Sequence, residues 1–161
     1  MGWWSTDILG GDSALDWKSE LYNKIDVQYK DNFGYRTLKP NDMSSKTQNN
    51  LIQYVLDSTQ KSFDDWGECD SRSIGMQIIA LMIIESGAKI TNKNKKELIK
   101  WIKKDEWAEE NDERKDNIND LLSAIKKYDS IPMIYQGEGL FQKLAERIYG
   151  TEIQPSGFKN I

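Results

Sequence analysis

Apolar residues recur at helical intervals along most of the chain. The first set predicts a helix that begins at Asp12 or Ser13, and its stripe is formed by Ala14, Trp17, Leu21 and Ile25. The second set predicts a helix from Ser44 or Ser45, with its stripe at Leu51, Ile52, Val55 and Leu56. Turn-forming residues between the two predict a loop over 30–43.

Three further helices are expected in the second half of the chain. One opens at Thr91 or Asn92, and the next opens at Asn111 or Asp112; all four residues are suited to helix N-termini. The last runs from about Glu138 to Gly150 and carries Leu140, Phe141, Leu144 and Ile148 at helical spacing.

The segment 73–86 is apolar on every side. A helix of this kind is expected to lie at the centre of the fold, and Gly87 follows it where a C-terminal glycine commonly ends a helix. The isoleucine-rich run 78–84 also fits a buried strand, which is the competing interpretation. The helix is preferred because its flanking residues match helix ends.

These elements together predict an all-α protein. We expect a single compact multi-helix domain of about six helices over residues 1–150, with a central buried helix near 73–86. The polar segment 151–161 contains Pro155 and Gly157 and is expected to be a loosely ordered tail.

Composition removes several kinds of active site. The chain has 161 residues, with no His and one Cys. Without an imidazole there is no His-assisted Ser, Cys or Thr nucleophile and no His-containing metal site. One Cys allows neither an intrachain disulfide nor a four-Cys zinc site. Catalysis is then restricted to metal ions held by carboxylates.

Charge is distributed in two opposed blocks. Residues 89–104 contain seven lysines and one acid, a local charge of +6. Residues 105–120 contain eight acids and two bases, a local charge of −6. The two blocks nearly cancel in the net charge of −4, so a strongly polarised surface is expected. A partner would be attracted by the local charges and not by the net charge.

The N-terminal segment is the first candidate interaction site. Its aromatic and acidic members are Trp3, Trp4, Asp7, Asp12 and Asp16. Carboxylates of this kind suit a cation or a basic partner, whereas the alternative is that the tryptophans anchor the segment on the helical core. The segment contains no basic n-region of a secretory signal, and the longest apolar run, Ile78–Ile84, is too short to span a bilayer. A cytoplasmic protein without a membrane partner is expected.

This opening resembles a family of small, uncharacterised bacterial and phage proteins. The matching residues are Gly2, Trp4, Ser5, Asp12 and Asp16, in a Met-Gly-x-Trp-Ser/Gly … Asp-x-x-x-Asp signature. An apolar central helix at Ile74–Ile84 followed by a polar one continues the likeness. The family is a domain of unknown function, so the resemblance implies a helical fold and a cytoplasmic location and supplies no catalytic residue. Some members look like parts of toxin–immunity or phage–host conflict systems.

The acidic block offers an enzymatic alternative. Glu106 with Glu109, and Glu110 with Glu113, are spaced to lie on one face of a helix. Helical pyrophosphohydrolases hold Mg²⁺ through such pairs on two facing helices. The only other candidate carboxylates are in a predicted loop, at Asp64, Asp65, Glu68 and Asp70. A solvated helix face is the simpler explanation.

The lysine block offers a third interpretation, nucleic-acid binding. The residues concerned are Lys93, Lys96, Lys100, Trp101 and Lys103. Lysines would contact phosphates and the indole would stack on a base. The neighbouring acidic block and the shortage of Arg argue against nucleic acid as the partner, and a solvated face again explains the pattern.

We therefore predict a small, acidic protein-binding module that needs no cofactor. An immunity or inhibitor protein that neutralises a toxin or a defence factor is the specific form expected. Mg²⁺ enters only under the enzymatic alternative, and the oligomeric state stays open.

Overall fold

The computed structural model describes residues 8–25, 37–58, 61–64, 67–137 and 140–143. Within these ranges the helices are α1 (Asp12–Lys24), α2 (Ser45–Leu56), α3 (Arg72–Ser86), α4 (Asn92–Ile102), α5 (Glu106–Glu110) and α6 (Asp112–Lys127). A 3₁₀ turn covers Pro40–Met43. The antiparallel strand pairs are β1 (Lys61–Asp64) with β2 (Gly67–Asp70), and β3 (Met133–Gly137) with β4 (Leu140–Lys143). Helices build the core, which confirms the expected all-α class, and the two hairpins are small additions.

Helix α3 is the centre of the fold. Thirteen of its fifteen residues are buried, and α1, α2, α4, α6 and β3 all pack against it. A helix surrounded in this way has no polar face, because every side meets another element. The segment 73–86 is thus the predicted central helix and not a strand. Gly87 ends it at a φ of +76°, a left-handed conformation that glycine adopts without strain.

Gly75 allows the first three helices to pack closely. A Cβ at this position would lie 2.9 Å from Cγ1 of Val55 on α2 and 3.3 Å from Cδ2 of Trp17 on α1. The indole of Trp17 in turn packs edge-on against Tyr54, with ring centroids 6.3 Å apart. The missing side chain therefore sets how near α1 and α2 approach α3.

Side chains cap most of the predicted helix starts. Ser44 Oγ accepts from the Thr47 amide, Thr91 Oγ1 from the Asn94 amide and Asn111 Oδ1 from the Arg114 amide. Each supplies an acceptor for an amide that the first turn leaves unpaired. Helix α1 differs, because its N-cap is Gly11 and no side chain caps its first turn, which begins at Asp12.

Two local expectations are wrong. The predicted sixth helix from Glu138 is replaced over Leu140–Lys143 by β4, which pairs with β3; residues 144–150 lie outside the described ranges. The acidic stretch near residue 64, expected as a loop, contains the β1–β2 hairpin, in which Lys61 pairs with Asp70 and Asp64 with Gly67. The predicted tail, 151–161, also lies outside the described residues.

Helices α4 and α6 run antiparallel. Lys95, in the first turns of α4, donates from Nζ to the carbonyl of Lys126 near the end of α6 at 2.9 Å. At the opposite end, Arg114 in the first turn of α6 pairs with Asp105, just after α4. This arrangement brings lysines from both helices together at one end and the carboxylates of α5 and α6 together at the other.

Candidate functional site

A buried ion pair supports the acidic end of the α4–α6 pair. Nη2 of Arg114 lies 2.7 Å from Oδ2 of Asp105, and the two side chains are 0% and 4% exposed. Nε of Arg114 donates to the same oxygen at 3.2 Å. Gln77 on α3 closes the network, since its Nε2 donates to Asp105 at 2.8 Å and its Oε1 accepts from Arg114 at 3.0 Å. The buried charges are therefore paired and hydrogen-bonded, as burial requires.

The same network fixes α5. Oδ1 of Asp105 accepts from the Ala108 amide at 2.9 Å and so caps this short helix. The Arg114 guanidinium lies 5.3 Å from the ring centroid of Trp107, within the range of a cation–π contact. One carboxylate thus ties the end of α4, the start of α5 and the start of α6 to the central helix.

The solvated face predicted for the acidic block does not include Arg114, whose side chain is fully buried. Arg114 precedes Ile118 by four residues and therefore continues the buried stripe of α6, which also carries Leu121, Leu122 and Ile125. That spacing was the available signal, and the surrounding charges obscured it. Asp105 gave a weaker signal as a residue suited to the N-cap of α5.

The outer side of this end carries exposed carboxylates. They are Glu106, Glu109 and Glu110 on α5 and Asp112, Glu113 and Asp116 on α6, and we call them the acidic corner. Lys115 is an exposed base within the same stretch. Because α5 and α6 contact each other and are both held by the Asp105–Arg114 pair, these carboxylates stand on a fixed backbone.

In the part of the chain that the structure describes, the carboxylates predicted for the magnesium alternative are not arranged to bind a metal ion. Glu106, Glu109, Glu110 and Glu113 are all exposed. Across the described ranges, no group of three or more His, Cys, Asp or Glu residues is placed to hold a metal ion. The carboxylates point to solvent from one corner and do not face a second set.

The N-terminal candidates are only partly within the described ranges. Trp3, Trp4 and Asp7 lie outside them. Asp12 begins α1, and Asp16 is an exposed residue one turn later. Asp16 lies on α1, which packs against α3, whereas the acidic corner lies on α5 and α6.

The lysine candidates lie on α4, and their aromatic member is already engaged. Lys93, Lys96, Lys100 and Lys103 are exposed. The ring centroid of Trp101 lies 4.7 Å from the Arg72 guanidinium and 4.2 Å from Nζ of Lys104. Its Nε1 donates to Glu97 at 3.1 Å. A nucleic-acid base would have to displace these cations before it could stack on the indole.

Glu85 on α3 forms a second polar cluster that sequence reasoning missed. It lines a small cleft with Lys18 and Tyr22 of α1, with Leu9 ahead of α1 and with apolar side chains of α3. Burial raises the pKa of Glu85 to about 7, against the lowering effects of the Lys18 charge and of a hydrogen bond with Tyr22. Helical spacing places Glu85 on the same side of α3 as Ile78, Leu81 and Met82. The sequence does not show that Lys18 and Tyr22 of α1 meet it there, because that contact depends on how α1 and α3 pack.

Comparison with protein-family models, curated proteins and solved structures gives no match to this chain. The resemblance to a family of small bacterial and phage proteins stays a prediction. No helix in the described ranges combines the length and apolar character needed to cross a bilayer.

Proposed function

We propose that the protein is a binding module that recognises a basic surface on a protein partner through the acidic corner. One observation carries this proposal: α5 and α6 present exposed carboxylates, and the buried Asp105–Arg114 ion pair holds the two helices in place. An interface of this kind draws a basic partner in by long-range attraction and then fixes its orientation.

The rigidity of the corner supports binding to a folded partner. Asp105 holds both helices in place through Arg114 and the Ala108 amide, so little backbone ordering is required when a partner arrives. Less ordering leaves more of the interaction free energy available for affinity. Trp107, a half-buried residue of α5 in cation–π contact with Arg114, supplies an aromatic surface of the type that concentrates binding energy.

We further propose a cytoplasmic immunity or inhibitor role, in which the partner is a toxin or a defence factor. The support is the resemblance of Gly2, Trp4, Ser5, Asp12 and Asp16 to the family described above, together with the acidic corner. Toxins that act on nucleic acids carry basic surfaces, because they must approach phosphates. An acidic corner would compete for such a surface.

The test is a pull-down of basic proteins from the native cell extract at low and moderate salt. The corner variant Glu109→Gln/Glu113→Gln should lose most of the retained partner. The control variant Asp16→Asn/Asp57→Asn removes the same charge from two exposed positions on other parts of the surface and should retain it. Equal loss in both variants would remove the assignment to the corner, and loss in the control alone would move the contact to the α1 side.

A further inference from the structure

The end of the molecule opposite the acidic corner is strongly basic. Its lysines, which we call the basic end, are Lys89, Lys93, Lys95, Lys96, Lys126 and Lys127. All except Lys95 are exposed, and Lys95 joins the two helices by its bond to the Lys126 carbonyl. Within segments 87–96 and 126–132 the only carboxylate is Asp129. These two segments therefore carry six lysines against one carboxylate.

An exposed apolar side chain lies beside these lysines. Among the described residues, the large hydrophobic side chains with marked exposure are Ile131 and Leu15, each 40% exposed. Ile131 belongs to the loop that follows α6, and this loop packs against the segment after α3: Tyr128 donates to the Ala88 carbonyl at 2.6 Å. Pro132 lies against Gly87 in the same contact. Ile131 and Lys89 are thereby held at the same end of the protein.

We propose that the basic end binds the surface of an anionic phospholipid membrane, with Ile131 entering the headgroup layer. Lysine ammonium groups near such a surface each strengthen binding by roughly fivefold. They act as point charges and need no fixed geometry, which suits mobile headgroups. An exposed apolar side chain at the same end as the lysines adds burial in the interface, as in peripheral membrane proteins that combine charge with inserted side chains.

The composition of the basic end favours lipid over nucleic acid. It contains no Arg, the residue that forms bidentate contacts with phosphates and bases. The aromatic residue of α4, Trp101, is covered by Arg72 and Lys104, and an exposed Ile offers nothing for a base to stack on. Insertion of an aliphatic side chain is useful only at an apolar boundary.

The antiparallel arrangement of α4 and α6 would then orient the bound protein. Helix α6 has sixteen residues and so spans about 24 Å. Charges in water are screened over about 8 Å at physiological salt, so the acidic corner does not cancel the field of the basic end. A membrane that binds the lysines at one end of α6 leaves the corner at the other end, where it faces away from the lipid.

The experiment is co-sedimentation of the full chain with vesicles of phosphatidylcholine alone and of phosphatidylcholine mixed with phosphatidylglycerol. We expect binding to the mixed vesicles only, and loss of binding at high salt. Lys126→Gln/Lys127→Gln should weaken partitioning about 20-fold, from two lost lysines. Its control, Lys100→Gln/Lys103→Gln, removes the same charge from the far half of α4 and should change binding little. All four side chains are exposed, so circular dichroism should show unchanged folding.

The apolar contribution has a matched control of its own. Ile131→Ser should weaken vesicle binding, whereas Leu15→Ser, at an equally exposed position on α1, should not. Equal binding to both kinds of vesicle, or equal losses in variant and control, would overturn the proposal. Binding to a DNA duplex that exceeds vesicle binding and is unchanged by Ile131→Ser would also overturn it and assign the lysines to nucleic acid. Corner variants should bind vesicles normally, so failure of the proposed function would leave this result intact.

Discussion

Arg114 and Asp105 form an ion pair across the junction of α4, α5 and α6, at 2.7 Å and with neither side chain reaching solvent. Replacing Arg114 by Met should lower the free energy of unfolding by about 3–5 kcal/mol, because the Asp105 carboxylate is left buried without its charged partner. Urea unfolding followed by circular dichroism measures the change.

The double variant Arg114→Met/Asp105→Asn separates the cost of an unpaired buried carboxylate from the other effects of losing Arg114. Asn retains an acceptor for the Ala108 amide and removes the unpaired charge. The double variant should therefore be more stable than Arg114→Met alone. A single variant that loses less than about 1 kcal/mol would mean that the pair is not desolvated as described.

Gly75→Ala should destabilise the protein by roughly 1–3 kcal/mol, even though Ala is the better helix former. The added methyl group would meet Val55 at 2.9 Å and force α2 away from α3. Thermal unfolding tests this prediction. Val55→Ala makes room for the methyl group. The double variant should therefore lose less free energy of unfolding than the two single variants lose in sum. Strict additivity would count against the contact.

Glu85→Gln should stabilise the protein at neutral pH and above, by about 1–3 kcal/mol. The pKa of Glu85 is raised from 4.5 to about 7 by burial, so the folded protein binds this proton more tightly than the unfolded chain does. The free energy of unfolding of the parent protein should therefore fall as pH rises through this window. The amide stands in for the protonated carboxyl and removes that fall.

Unfolding measured on both sides of this pH window checks the prediction. The two proteins should be nearly equal in stability at the acid side and should diverge toward the alkaline side. Glu106→Gln, at an exposed position on α5, is the control for loss of a carboxylate. A constant difference across the window would show that Glu85 does not titrate within it.

Tyr128→Phe should cost about 1–2 kcal/mol. The hydroxyl donates to the Ala88 carbonyl at 2.6 Å and approaches the Ile83 carbonyl at 3.2 Å, so its loss leaves buried acceptors at the end of α3. Burial also raises the pKa of Tyr128, so the effect should be constant through the neutral range. Tyr54→Phe removes a bond to Glu20 at a half-buried position and should cost less in the same denaturation assay.

The helical part of the fold was predictable because its signals are local. Thr91 and Asn111 cap helices that begin where they were expected, and Gly87 ends α3 in the conformation that glycine permits. The hairpins were not predictable by the same means. Leu140 and Phe141 fit a helical stripe as well as a strand, and only pairing with β3 decides between them.

The charge of the candidate site was predictable from the sequence, but which of its side chains are buried was not. The carboxylates of the acidic corner are exposed, as a charged run should be, yet Arg114 in the same run is fully buried. Its partners are Asp105, nine positions earlier, and Gln77 on another helix. A pairing between elements is settled by tertiary packing, so neither the ion pair nor the Glu85 cluster could be derived from spacing alone.

Helix α3 carries a consequence for synthesis of the chain in the cell. Its isoleucine-rich surface leaves the ribosome well before α4 and α6, which cover part of it, have been made. Translation adds about 5–20 residues per second, so this surface stays open for a few seconds on every new chain. Chains interrupted ahead of Lys127 would keep an uncovered apolar helix, and such fragments should bind chaperones or aggregate more readily than the finished protein.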